Sequence, residues 1–159
     1  MLFAFWLTAM GAASATETVG WVERVRLYPG DVEVEAKIDT GADQSSVDCN
    51  CINFVERNGA KYVNFKVMDI NGKLHTFERK IKKYIYVKQH TGDAQRRPEV
   101  TMGICLGGTY RTITVNLTNR ANYRYPVLVG RKFLSGRFTV DPGRRYTTEP
   151  RCPGAPKDE

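Results

Sequence analysis

A chain of 159 residues is one domain's worth, about half of what a two-lobed enzyme built from duplicated domains requires. With 42% hydrophobic and 26% charged residues, 14 glycines and 7 prolines, its composition is globular and excludes a disordered, collagen-like or coiled-coil chain. The 24 Lys and Arg against 17 Asp and Glu leave a net charge of +7, which favours anionic partners at low salt.

The chain opens on an uncharged apolar run, Leu2 to Met10, followed by Gly11-Ala12-Ala13-Ser14-Ala15. Ala13-Ser14-Ala15 has the small-x-small form of a signal-peptidase site, and the run is shorter than the ~20 residues of a bilayer span. The usual basic residues before the apolar run are missing. Residues 1–15 are expected to be a signal peptide, residues 16–143 the folded domain and residues 144–159 a polar tail. The mature protein is then periplasmic or secreted, with no membrane span. The alternative is a buried N-terminal strand or helix.

The body reads as β throughout. Val32, Val34, Ala36 and Ile38 alternate with Glu33, Glu35 and Lys37, the pattern of a half-buried strand. A run with Tyr62, Phe65 and Val67 ends at Asn71-Gly72, a strong hairpin signal, and Leu74 to Phe77 returns from it. Tyr84 to Val87 is rich in β formers and leads into His90-Thr91-Gly92-Asp93, with a new strand at Val100 to Leu106. After Gly107-Gly108, Thr112 to Leu117 alternates again, Val127 to Val129 is a short apolar run, and Phe138 to Val140 closes the series. Only Arg131 to Leu134 suggests a helical turn. Short strands with frequent turns define a sandwich or barrel.

Four cysteines, Cys49, Cys51, Cys105 and Cys152, suggest two disulfides in an oxidising compartment. Cys49 and Cys51 are too close in sequence to bond each other without strain, which leaves the two cross-pairings onto Cys105 and Cys152. Cys49-x-Cys51 lacks the spacer of structural zinc sites, and His75 and His90 are the only histidines. There is no His-Glu-x-x-His and no phosphate-binding Gly-x-x-x-x-Gly-Lys-Ser/Thr loop, so neither a metal nor a cofactor is expected.

The chemistry points to Ile38-Asp39-Thr40-Gly41-Ala42-Asp43-Gln44-Ser45-Ser46, where an alternating strand runs straight into an acid held on a turn of small residues. Asp-Thr-Gly alone arises by chance in roughly 3% of chains this long, and its bland reading is an ordinary turn. A second segment adds weight: Pro126-Val127-Leu128-Val129-Gly130-Arg131-Lys132-Phe133-Leu134.

Together these segments resemble the retropepsin-like aspartic proteases, and more narrowly a bacterial family often labelled "ATP-dependent zinc protease". The likeness extends over Val19 to Pro142 and includes Gly20-Trp21-Val22-Glu23, Arg96-Arg97-Pro98, Leu117-Thr118-Asn119-Arg120 and Phe138-Thr139-Val140-Asp141-Pro142. The zinc and ATP of that label find no support in these residues. This chain departs in carrying Glu99 where relatives usually have an apolar residue, and Val47-Asp48-Cys49 where Leu-His-Ala is common. These departures bear on substrate contacts more than on the acid.

The resemblance implies an all-β, closed acid-protease barrel with one short C-terminal helix. Aspartic proteolysis needs two carboxylates about 3 Å apart sharing one proton. The chain has one Asp-Thr-Gly, so the second carboxylate is expected from Asp39 of a second copy in a homodimer, with an acidic optimum. By the same resemblance Thr40 hydrogen-bonds across the dimer, Gly41 lets substrate backbone approach, and Ala42 is small for the same reason. Asp43 would pair with Arg131, a solvated charge being the alternative, and Val129 and Gly130 would support the loop from beneath. A β-hairpin flap is expected at Tyr86 to Arg97, bringing Val87, His90 and Gly92 over the substrate, with the Asn71-Gly72 hairpin as an insertion.

The expected function is therefore an aspartic endopeptidase acting on a peptide or protein substrate. Basic pairs at Arg79-Lys80, Lys82-Lys83, Arg96-Arg97 and Arg144-Arg145 make an acidic substrate one option and solvated faces the other. Nucleic acid fits poorly, since no groove-reading motif is present. The rivals are a non-catalytic binding module of the same fold and the metallopeptidase of the family label.

Overall fold

The computed structural model describes residues 15–89 and 91–156, with the side chains of Cys51 and Ile52 outside the description. The expected leader therefore falls almost wholly outside the described residues. The elements are β1 (Glu17–Tyr28), β2 (Val32–Ile38), β3 (Ser45–Asp48), β4 (Asn50–Arg57), β5 (Ala60–Met68), β6 (Leu74–Val87), β7 (Gln95–Leu106), β8 (Thr109–Thr118), β9 (Val127–Val129), α1 (Arg131–Leu134) and β10 (Phe138–Arg145). The protein is all-β with one short helix, as the sequence leads one to expect.

Six strands, in the order β1-β2-β9-β3-β8-β7, close into a barrel through pairing of β7 with β1. The length of β1 makes the closure possible. Its start runs parallel to β10, its middle pairs antiparallel with β2, and Arg26 to Tyr28 pair with β7. With so many neighbours it buries successive residues, Val19-Gly20 and Val22-Glu23, and so lacks the two-residue alternation that marks β2. The core fills the barrel with Val25, Leu27, Val34, Val47, Ile104, Val115 and Val127, and Phe133 of α1 stacks on Phe138 at 5.9 Å between ring centroids.

A three-stranded meander, β4-β5-β6, extends from β7. The segments Leu74–Phe77 and Tyr84–Val87, which read as separate strands, are one. Leu74 to Lys80 pair with β5, and after a register shift between Ile81 and Lys83 the strand passes to β7. The Asn71-Gly72 turn joins β5 to β6, outside the barrel.

The C-terminal segment, expected as a polar tail from residue 144 and tied down at Cys152, is held onto the barrel before Cys152 as well. β10 continues to Arg145, and the Tyr146 N–H donates to the Val22 carbonyl at 2.8 Å. The Glu23 carboxylate, fully buried, accepts from the Gly20 N–H at 2.6 Å, the Thr147 N–H at 2.9 Å and the Thr147 hydroxyl at 2.6 Å. The Arg151 N–H then donates to the Gly107 carbonyl at 2.8 Å, which carries Cys152 to Cys105. These two form a disulfide with Cα atoms 6.1 Å apart. Both cross-pairings expected from the sequence are thereby corrected: the returning tail, not Cys49 or Cys51, reaches Cys105. Cys49 is itself disulfide-bonded, buried beyond the end of β3.

Candidate active site

β2 delivers Asp39 to the barrel rim, and the loop that follows is bound onto the junction of β9 and α1. β9 lies between β2 and β3, the strands on either side of that loop, with Ile38 opposite Val129 and Ser46 opposite Leu128. The Asp39 N–H donates to the Val129 carbonyl at 2.9 Å, the Arg131 N–H to the Ala42 carbonyl at 2.9 Å, and the Lys132 N–H to the Asp43 carbonyl at 3.0 Å. The Gly130 N–H donates to the Ser45 hydroxyl at 3.1 Å. Gly130 is required by proximity alone, its φ of −99° being open to any residue. A Cβ there would lie 2.6 Å from the Gln44 carbonyl oxygen.

The Asp39 side chain is 23% exposed. The Gly41 N–H donates to its Oδ1 at 3.0 Å, and Lys37 Nζ lies 3.1 Å from its Oδ2. Burial pushes the carboxyl up, but the Lys37 ammonium and the N–H groups of Gly41 and Ala42 together outweigh burial and hold it below the usual carboxylate range. Thr40 and Gly41 are exposed, and Arg131 Nη1 donates to both their carbonyls, at 3.0 and 2.9 Å. Arg131 also comes within 3.8 Å of Asp43, but Lys132 is closer, at 3.0 Å. All three side chains are more than half exposed, so these ion pairs contribute little and the carbonyl contacts are what tie Arg131 to the loop.

A cavity of about 460 Å³ opens between this loop and the β6–β7 hairpin, lined by Ala42, Asp43, Ile85, Val87, Arg97 and Arg120 among others. Of the residues expected near substrate, Ala42, Asp43 and Val87 meet there. Gly92 lies in the turn between β6 and β7 with φ of 91° and does not line the cavity. His90 lies outside the described residues.

Arg97, marked in the sequence within a basic pair and at the end of the expected flap, and Arg120, marked only within a family-like segment, both line this cavity. The Arg97 guanidinium donates to Gln95 and Asn116, and that of Arg120 to the Tyr125 carbonyl and the Ser46 hydroxyl, all neutral acceptors. Burial lowers the pKa of both. Arg97 could be found from the Arg-Arg-Pro signal, but Arg120 gave none beyond its place in the family-like Leu117-Thr118-Asn119-Arg120. Gln44 was also unmarked. It donates at 2.7 Å to the buried Glu99, and Lys83 lies 3.6 Å from the other oxygen of Glu99. Among the described residues, no three His, Cys, Asp or Glu side chains converge as a metal site.

A closed six-stranded barrel with an Asp-Thr-Gly loop seated on an apolar strand is the retropepsin-like architecture. The chain belongs to the RimB-like family, described as retropepsin-like aspartic endopeptidase RimB, whose model matches residues 18–151. A solved structure from Legionella pneumophila, described as a protein of unknown function, superposes with a TM-score of 0.70 at 33% identity, covering 85% of this chain and all of that one. Two proteins named probable alpha-L-glutamate ligase are also similar. One, from Shewanella pealeana, is 28% identical over 71% of this chain and 25% of its own length. The other, from Desulfotalea psychrophila, is 26% identical over 69% of this chain and 24% of its own. The chain thus spans about a quarter of these ligases.

Proposed function

We propose that the protein is an aspartic endopeptidase whose dyad forms from Asp39 of two copies related by a two-fold axis. The observation that carries the reading is the half-buried Asp39 carboxylate, fixed by the Gly41 N–H on a loop that borders a cleft beneath a hairpin. One carboxylate, deprotonated, takes a proton from water, and the other, protonated, polarises the scissile carbonyl. The exposure of Thr40 and Gly41 is consistent with a partner at this face. Val87 and Ile85 form the apolar wall of the cleft, and the hairpin above them acts as the flap.

The substrate is a peptide with acidic residues. Arg97 and Arg120 bring two positive charges to the cleft wall, and among the described residues their guanidinium groups donate to neutral acceptors, which favours a carboxylate of the ligand as their charged partner. The ligase names of the relatives agree with an acidic chain as substrate. The Cys105–Cys152 disulfide supports an oxidising, exported location.

The test is mass-spectrometric mapping of a diverse peptide mixture from about pH 3 to about pH 8, with native protein and the Asp39→Ala variant. Acid-favoured cleavage that vanishes in the variant and survives a chelator supports the reading. Equal cleavage by both proteins refutes it. The relatives, in which a similar segment is a quarter of a longer ligase, favour a second reading, a non-catalytic module that serves a partner enzyme. No cleavage by either protein at any pH would select it.

A further inference from the structure

Asp39 does not stand alone at its strand end. Lys37 precedes it by two residues on β2 and so projects from the same side of the sheet. Its ammonium contacts Oδ2 at 3.1 Å while the Gly41 N–H occupies Oδ1, so both carboxylate oxygens are engaged by positive partners. The other charged groups around this loop are committed elsewhere. Arg131 of α1 serves the carbonyls of Thr40 and Gly41, and Asp43 is paired with Lys132. Arg120, from the β8–β9 connection, feels Asp39 electrostatically but is held by Tyr125 and Ser46. Asp48 of β3 accepts from the Arg120 backbone, and β9, Val127-Leu128-Val129, carries no titratable group. Among the described residues Lys37 is therefore the cation in direct contact with Asp39.

We propose that Lys37 is a positioning residue of the catalytic centre, holding Asp39 as a carboxylate and lowering the pH at which the dyad loses its last proton. The proposal rests on the reading of Asp39 as the catalytic acid. In a simple dyad, repulsion between the two carboxylates retains one proton between them. Here each copy brings its own ammonium group, so two positive charges face the single negative charge of the working, singly protonated pair. Attraction to the ammonium groups opposes the repulsion, and the second proton leaves more readily. The upper pH limit of activity is thereby drawn downward. Two substitutions separate this electrostatic role from a packing role: Lys37→Arg keeps the charge, and Lys37→Met keeps an apolar stem without it.

The experiment is carboxyl-carbon NMR of the full chain labelled on aspartate, titrated with acid and base, with Asp39→Asn to assign the resonance. Native protein, Lys37→Met and Lys37→Arg are compared, and peptide-cleavage rates are measured on the same samples. The expected result is a higher Asp39 titration midpoint in Lys37→Met, a return toward the native value in Lys37→Arg, and a parallel upward move of the alkaline limb of the rate profile. Thermal midpoints check that all variants are folded, and Lys37→Gln replaces Lys37→Met if the latter is not. An unchanged Asp39 midpoint without the lysine overturns the proposal even where native protein cleaves peptides normally. A midpoint that moves in a protein that cleaves nothing supports the hold of Lys37 on Asp39 and refutes the peptidase reading instead.

Discussion

Replacing Gly130 by alanine tests whether the Asp39 loop depends on its seat on β9. The new methyl group would sit 2.6 Å from the Gln44 carbonyl oxygen, 2.7 Å from its carbon and 2.9 Å from the Ala42 oxygen, all backbone atoms that no rotamer change can move. Restoring an ordinary contact of 3.4 Å demands a displacement of about 0.8 Å between β9 and the loop. Overpacking of this kind costs about 1–3 kcal/mol of stability. The loop carries Asp39, and a misplacement near 1 Å reduces turnover by about 100-fold, or about 2.7 kcal/mol of barrier. Gly108→Ala is the control, since nothing lies within 4 Å of its Cβ position. Urea denaturation gives the stability, peptide cleavage gives the rate, and hydrogen exchange reads protection of the Asp39 and Arg131 N–H groups. Native-like turnover, stability and exchange in Gly130→Ala would refute the argument that this glycine is there for close approach.

Four further outcomes are expected. Glu23→Ala removes the short acceptor of the Gly20 N–H, leaving it only the Thr147 hydroxyl at 3.2 Å, and removes the acceptor of the Thr147 and Thr148 N–H groups, so stability falls by about 2–4 kcal/mol in urea and amide exchange quickens at Thr147 and Thr148. Cys152→Ser opens a loop of sequence separation 47, and loss of that cross-link lowers stability by about 4 kcal/mol, measured under non-reducing conditions. Arg97→Ala reduces kcat/KM for acidic peptides by about tenfold or more and leaves neutral peptides nearly unaffected, the comparison being made on matched Glu and Gln substrates. The Asp69 carboxyl is held below the usual carboxylate range by His75, at 2.7 Å, and by the N–H groups of Lys73 and Asn71. Its folded pKa is depressed, so its contribution to stability is present above the ordinary carboxylate pKa and lost as pH falls through the folded value. Stability measured against pH should therefore show a smaller acid loss in Asp69→Asn than in native protein.

Much of the candidate site was legible because its signals are local. The alternation in Val32 to Ile38 marks a strand with one face in the core, and that strand aims Asp39 at the rim. The apolar Val127 to Val129, a glycine and a following helical turn are likewise short-range patterns, and the structure realises them as β9 and α1. β1 and β3 were less legible. Two-sided burial removes the alternation of β1, and the serines of β3 are buried by hydrogen bonds to Gly130 and Arg120 rather than by hydrophobicity.

The sequence by itself determined the all-β class and the local features around Asp39: an acid on a loop of small residues, and an apolar strand that ends in glycine. Those features follow from side-chain period and turn stereochemistry, which act over a few residues. Only the tertiary structure decided which distant parts meet. β9 enters between β2 and β3, Arg97 and Arg120 come to one cleft from separate segments, and the tail returns to join Cys152 to Cys105 rather than to Cys49 or Cys51. Such meetings depend on strand order and register, because barrel closure fixes the partners of each strand across the whole chain.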